Sequence, residues 1–161
     1  KEEVKNYKKY IIDCLPGEKH NETLKLLSRR ALDRGQDLQT ARVLFVAGLG
    51  IGSKRNLQTM IDLANSLGIG WGVSRPLVDI GWAEQSRQIG QTGQIVSPDL
   101  LISFGVSGAI QHLAGISKSK AIIAINHDET APIFNSASLG VVADCSEVLK
   151  SWFRNKNIMK K

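Results

Sequence analysis

Apolar and polar positions divide the chain into short buried runs and longer amphipathic stretches. The first clear element is Val43-Leu44-Phe45-Val46-Ala47, a continuous apolar run typical of a strand buried on both faces. Glycines 48, 50 and 52 follow, and then Leu57, Met60, Ile61, Ala64 and Leu67 recur at helical spacing. Gly68-Ile69-Gly70 closes that helix, and Trp71-Gly72-Val73 enters a second strand. Such a unit is a right-handed parallel crossover. Leu100–Phe104, Ala121–Ile125 and Gly140–Ala143 read as further strands. A helical pattern starts after glycines 105 and 108, and a last one covers Ser146–Phe153. This alternation predicts an α/β fold, a three-layer Rossmann-like parallel sheet with helices on both faces.

Two stretches fall outside that alternation. Ser74 to Gly93 is polar and glycine-rich, with no core of its own, and a loop that long inside a compact domain is usually functional. Ahead of the core, residues 4–15 (VKNYKKYIIDCL) read as an extended segment ended by Pro16-Gly17. Glu22–Asp33 reads as an amphipathic helix closed by Gly35, and Gln36–Arg42 as a polar link. The expected organisation is an arm over 1–42, a domain over 43–153 and a basic tail over 154–161. The chain opens on lysine and is read as a piece of a longer polypeptide.

Charge sharpens this picture by its location. The net charge of +6 sits in the flanks: residues 1–42 carry ten basic against seven acidic groups, and 150–161 carry five basic and none acidic. Residues 43–149 carry six basic against eight acidic groups, which argues against a nucleic-acid groove reader. Cys14 and Cys145 are isolated thiols, and the three histidines form no zinc-type set, so no metal is expected. No apolar run approaches the ~20 residues of a membrane span.

Ligands of open α/β sheets bind beyond the carboxyl ends of the strands, where the chemistry-bearing stretches of this chain fall. Arg75 could stabilise negative charge on a phosphate or a reduced ring, or simply pair with Asp79. Gly90, Gln91, Thr92 and Gly93 offer an amide, a hydroxyl and a flexible backbone. In Ser107-Gly108-Ala109-Ile110-Gln111-His112, glycine permits close backbone approach, the helix start attracts phosphate, and His112 could donate to a ligand oxygen, charged or neutral. Asn126 and Asp144 end strands and could fix an adenosine, or serve as a turn former and a helix cap. No histidine–carboxylate pair is placed to activate Ser107, and paired acids are missing. The set suits holding a cofactor rather than making and breaking bonds.

With these residues in view, Val43 to about Phe153 resembles the FAD-binding domain of the electron transfer flavoprotein alpha subunit. The resemblance rests on SRPLVDIGW (74–82), QIGQTG (88–93), SGAIQHLAG (107–115) and AINHDETAPIF (124–134), in that family's order. It implies a fold of the DHS-like NAD/FAD-binding type, an FAD cofactor and a heterodimer with a beta subunit. The function it implies is an electron carrier, not an enzyme, between acyl-CoA-type flavin dehydrogenases and a downstream acceptor. The expected compartment is bacterial cytoplasm or mitochondrial matrix, and the 1–42 arm would be the link from an absent N-terminal domain.

By the same resemblance Ser74 would meet the diphosphate and Arg75 would lie against the isoalloxazine ring. Thr92 would bond near flavin N5, His112 near O2, and Asn126 and Asp144 would fall on the adenosine side. The family commonly has an arginine between the first two loop glycines, and Leu49 stands there in this chain. Two rival readings of the same residues are a related enzyme using NAD, with Asp144 or Asp128 on a ribose, and an interaction module whose flavin site has decayed.

Overall fold

The computed structural model describes residues 37–155. The expected segment 4–15, the helix 22–33 and the end of the basic tail lie outside the described residues. Five strands form one sheet: β1 (Val43–Ala47), β2 (Gly70–Val73), β3 (Leu100–Phe104), β4 (Ala121–Asn126) and β5 (Leu139–Val142). The order is β2-β1-β3-β4-β5 and every pairing is parallel. The expected α/β class and parallel sheet are borne out.

Alternation along β1 shows why the apolar runs are unbroken. Phe45 and Ala47 face a core shared with Leu57, Met60 and Leu63 of α1 (Lys54–Leu67) and with Cys145 and Leu149 of α4 (Cys145–Asn155). Leu44 and Val46 face a second core with Leu101, Ala124, Ile116 of α3 (Ile110–Ile116) and Ile133. Right-handed crossovers running in opposite directions from β1 and β3 put α1 and α3 on opposite faces, so central strands are apolar on both sides. Burial raises the Cys145 thiol to about 11, which makes it a packing residue rather than a reactive one.

Local signals set the ends of α1. Ser53 accepts from the Asn56 amide at 3.1 Å as N-cap, and Gly68 closes the helix in the left-handed region at φ 66°. Ser53, where a dinucleotide fingerprint would carry its third glycine, is therefore a cap.

Three expectations need correction. The stretch before β1 is not a plain polar link, since Leu38 and Ala41 are buried in the second core. The 74–93 loop has structure of its own: α2 (Arg75–Asp79), a 3-10 turn at Gln85–Arg87, and buried Leu77 and Ile89. Cover is also incomplete at the edge strand β5, where Leu139 and Val142 are exposed. Among the described residues no helix is long and apolar enough to cross a membrane.

Candidate functional site

Strand register sets the site. Ala47 pairs with Val73 and with Phe104, and Phe104 pairs with Ile125. The residues that follow, Gly48, Ser74, Gly105 and Asn126, therefore stand in one row at the carboxyl edge. The amides of Gly48, Ser74 and Gly105 extend the ladder by one bond each, to the carbonyls of Phe104, Ala47 and Ile125. Above this row, at the switch point between β1 and β3, the loops enclose a cleft of about 580 Å³, within the roughly 300–1,000 Å³ usual for cofactor pockets. The structure brings Ser74, Arg75, Gly90, Gln91, Thr92, Ser107, Ala109, Gln111, His112 and Asn126 to its wall.

The loop glycines also serve packing between loops. A Cβ on Gly105 would stand 2.2 Å from the Gly50 carbonyl carbon, and one on Gly48 would stand 2.4 Å from the Gly105 oxygen. These glycines let the β1–α1 and β3–α3 loops pack backbone to backbone, with Gly105 at φ 64°. Gly108, at φ 90°, likewise packs on the backbone of Ile133. Close approach is needed between loops first, and the cleft floor results from it. Along this floor the backbone N–H groups of residues 106–109 have no partner among the described residues, a concavity of donors suited to an anion.

Ser74 is buried at the N-cap position of α2, yet its side chain makes no capping bond, so the hydroxyl stays available. Arg75 opens α2 rather than lying in a loop, and its pairing with Asp79 is compatible with a place on the cleft wall. It lines the cleft and also pairs with Asp79 at 3.5 Å. Both side chains are more than half exposed, and such an i,i+4 pair contributes only about 0.3–0.5 kcal/mol. The guanidinium can leave Asp79 for an anionic ligand at little cost.

The 88–94 turn is pinned at both ends. Ile89 donates to Val73, Gln94 to Gln88, and Gln91 to Gln111 in the first turn of α3. Gly93 serves this turn, since a Cβ there would stand 2.4 Å from the Gln88 oxygen, and it does not line the cleft. Buried Gln88 donates through Nε2 to Thr92 Oγ1 at 2.8 Å.

His112, in the first turn of α3, is buried, with Nδ1 3.0 Å from the Ile89 carbonyl. A carbonyl only accepts, so Nδ1 carries the proton. Burial pushes the pKa below the ordinary histidine value, and the Ile89 carbonyl opposes the shift. The ring is thus neutral near pH 7, with a lone pair on Nε2, a buried atom without a partner among the described residues. This corrects the expected donor in either charge state: Nε2 accepts when neutral and donates only as imidazolium.

Asn126 is partly committed to the fold. It donates to the Val106 carbonyl at 3.0 Å and accepts from the Asp128 amide at 3.1 Å, so it ties β4 to the β3–α3 loop. Asp144 stands away from the cleft wall. It follows the edge strand and accepts from the Ser146 amide at 2.7 Å; the Ser146 side chain and then this amide lower its pKa, and the bond caps α4. Ile110 also lies off the wall, exposed at the start of α3.

Residues that sequence reasoning passed over include Gln88, His127, Ala131 and Pro132, all on the wall. Gln88 sits inside the quoted QIGQTG stretch, and His127 directly follows Asn126. Position at a strand end was the signal that could have found His127, whereas the burial of Gln88 had none.

The family model described as the electron transfer flavoprotein FAD-binding domain matches residues 37–117. The chain is 52% identical over 108 residues to a probable electron transfer flavoprotein subunit alpha, mitochondrial, of Caenorhabditis elegans, covering 67% of this chain and 32% of that one. It is 51% identical over 113 residues to Protein FixB of Rhizobium meliloti, covering 70% and 32%. Against the electron transfer flavoprotein subunit alpha of Bacillus subtilis the identity is 46% over 127 residues, covering 77% and 39%. The chain thus spans about a third of the length of these relatives. A parallel sheet with its cleft at the switch point, matched in sequence by the electron transfer flavoprotein FAD-binding domain and its alpha-subunit relatives, places this chain in the electron transfer flavoprotein alpha family, as its FAD-binding domain.

Proposed function

We propose that this chain holds the flavin of an electron carrier, working as a heterodimer with an electron transfer flavoprotein beta subunit. It would accept electrons from flavin dehydrogenases of the acyl-CoA type and deliver them to a downstream acceptor. The observation that carries this reading is the convergence of Ser74, Arg75, Thr92, Ser107, His112 and Asn126 on one cleft in a chain of this family.

The residues present fit the cofactor. The backbone N–H groups of residues 106–109 have no protein partner among the described residues, His112 Nε2 becomes a further donor once protonated, and FAD is rich in oxygen and nitrogen acceptors. When bound, FAD supplies the redox chemistry of its isoalloxazine ring. The N–H groups of residues 106–109 and the Ser74 hydroxyl hold the diphosphate. Arg75 leaves Asp79 to lie against the ring, where its charge favours added electrons. Thr92 donates toward N5, and His112 takes a proton at Nε2 to bond O2. Asn126, with one N–H and one lone pair to spare, takes the adenosine side, and Asp144 contributes there only as the cap of α4.

The test is a fluorescence titration with FAD and, separately, NAD, on wild type and Arg75→Ala, with and without a co-expressed beta-type partner. Saturable FAD binding, weakened in the variant, is expected. Preference for NAD, or no flavin bound even with the partner, would sink the reading.

A further inference from the structure

Gln88 is a buried polar side chain on the cleft wall to which the flavin reading gives no task. It is only 2% exposed, and its amide nitrogen finds a partner within the protein. Its Nε2 lies 2.8 Å from Thr92 Oγ1. An amide nitrogen offers only protons, so here the hydroxyl accepts. A hydroxyl has one proton, and that proton cannot point back at the amide. Among the described residues no protein group accepts it, and Thr92 is exposed on the cleft wall.

The geometry is held from both sides. The Gln88 backbone N–H donates to Gln85 and its backbone carbonyl accepts from Gln94, while Val73 pairs with Gln88 as a bridge to the sheet. Gly93 donates to Gly90 and closes the turn that carries Thr92. These bonds fix the backbone positions of Gln88 and Thr92 relative to each other.

We propose that Gln88 is a positioning residue that makes the Thr92 hydroxyl a donor aimed into the cleft, and so selects a ligand atom that accepts. This rests on the flavin reading, since ring N1, O2, O4 and N5 are acceptors of that kind. The sign depends on which end of the amide faces Thr92. With Oε1 there, the hydroxyl would give its proton to the amide and meet the ligand with a lone pair instead.

A double-mutant cycle tests it in the full chain with its co-expressed partner, using Gln88→Glu, Gln88→Met, Thr92→Val and the combined variants. FAD affinity, the midpoint potential of the bound flavin and thermal melting are read for each. A carboxylate at 88 only accepts, and it would draw the Thr92 proton out of the cleft. Gln88→Glu and Thr92→Val are each expected to weaken FAD about tenfold and to move the potential in the same direction. Gln88→Met is expected to do so less, because the freed hydroxyl can still turn. In the Thr92→Val background either change at 88 should add nothing. Additive effects, or a change in melting with affinity and potential untouched, overturn the positioning role. Failure of the wild type to bind FAD overturns the flavin reading and this role with it.

Discussion

The protonation of His112 makes the affinity for FAD depend on pH. The Ile89 carbonyl keeps the proton on Nδ1, so an accepting ligand atom meets the bare lone pair of Nε2 unless the ring gains a second proton. Without ligand, burial holds the pKa below the ordinary value of about 6.5. With an acceptor at Nε2 the charged form is favoured and the pKa rises. Between the free and bound values one proton is taken up per FAD, so the dissociation constant climbs about tenfold per pH unit, or about 1.36 kcal/mol. Below the free value the slope disappears.

The assay is an FAD titration across about pH 5 to 8, with calorimetry in two buffers of different ionisation heat to count protons. A glutamine amide would donate without titrating, so His112→Gln should flatten the profile. The other ionisable side chains on the cleft are Arg75, Asp79, His127 and Asp128, and His127→Gln serves as the control that should keep the slope. A flat profile in wild type, or equal slopes in wild type and His112→Gln, would refute the reasoning. It would mean that Nε2 accepts from the ligand, as it could from flavin N3–H. In the unliganded protein the depressed pKa acts on stability in the opposite sense. That contribution is present above the unfolded value and is lost as pH falls through the folded one, so acid should lower the wild-type melting temperature more than that of His112→Gln.

Three further outcomes are expected. Gly105→Ala should lower stability by more than about 2 kcal/mol in urea denaturation, because it combines a left-handed φ with a backbone clash against Gly50; a loss under half that would mean the two loops can part. Leu49→Arg adds a cation on the exposed side of the cleft and should tighten FAD about fivefold at low salt, with the gain erased near molar salt; a gain indifferent to salt would point to packing instead. Ser53→Ala removes the α1 cap and should cost about 1 kcal/mol by denaturant melt, while FAD affinity stays unchanged because Ser53 does not line the cleft.

What the sequence determined by itself is local. Val43–Ala47, Leu100–Phe104 and Ala121–Ile125 declare strands because continuous burial needs continuous apolar residues, and α1 declares itself by its stripe, its serine cap and its glycine stop. Four motifs in family order sufficed to name the cofactor class. Tertiary structure decided what depends on residues far apart in the chain. Strand order and register put Ser74, Gly105 and Asn126 in one row and left Asp144 at the edge. Loop packing gave the loop glycines a second requirement, contact between backbones. The Ile89 carbonyl, 23 residues before His112, chose its tautomer, and burial of Gln88 chose the direction of a hydroxyl. A hydrogen bond's direction depends on which partner the fold delivers, and a residue's type does not carry that information.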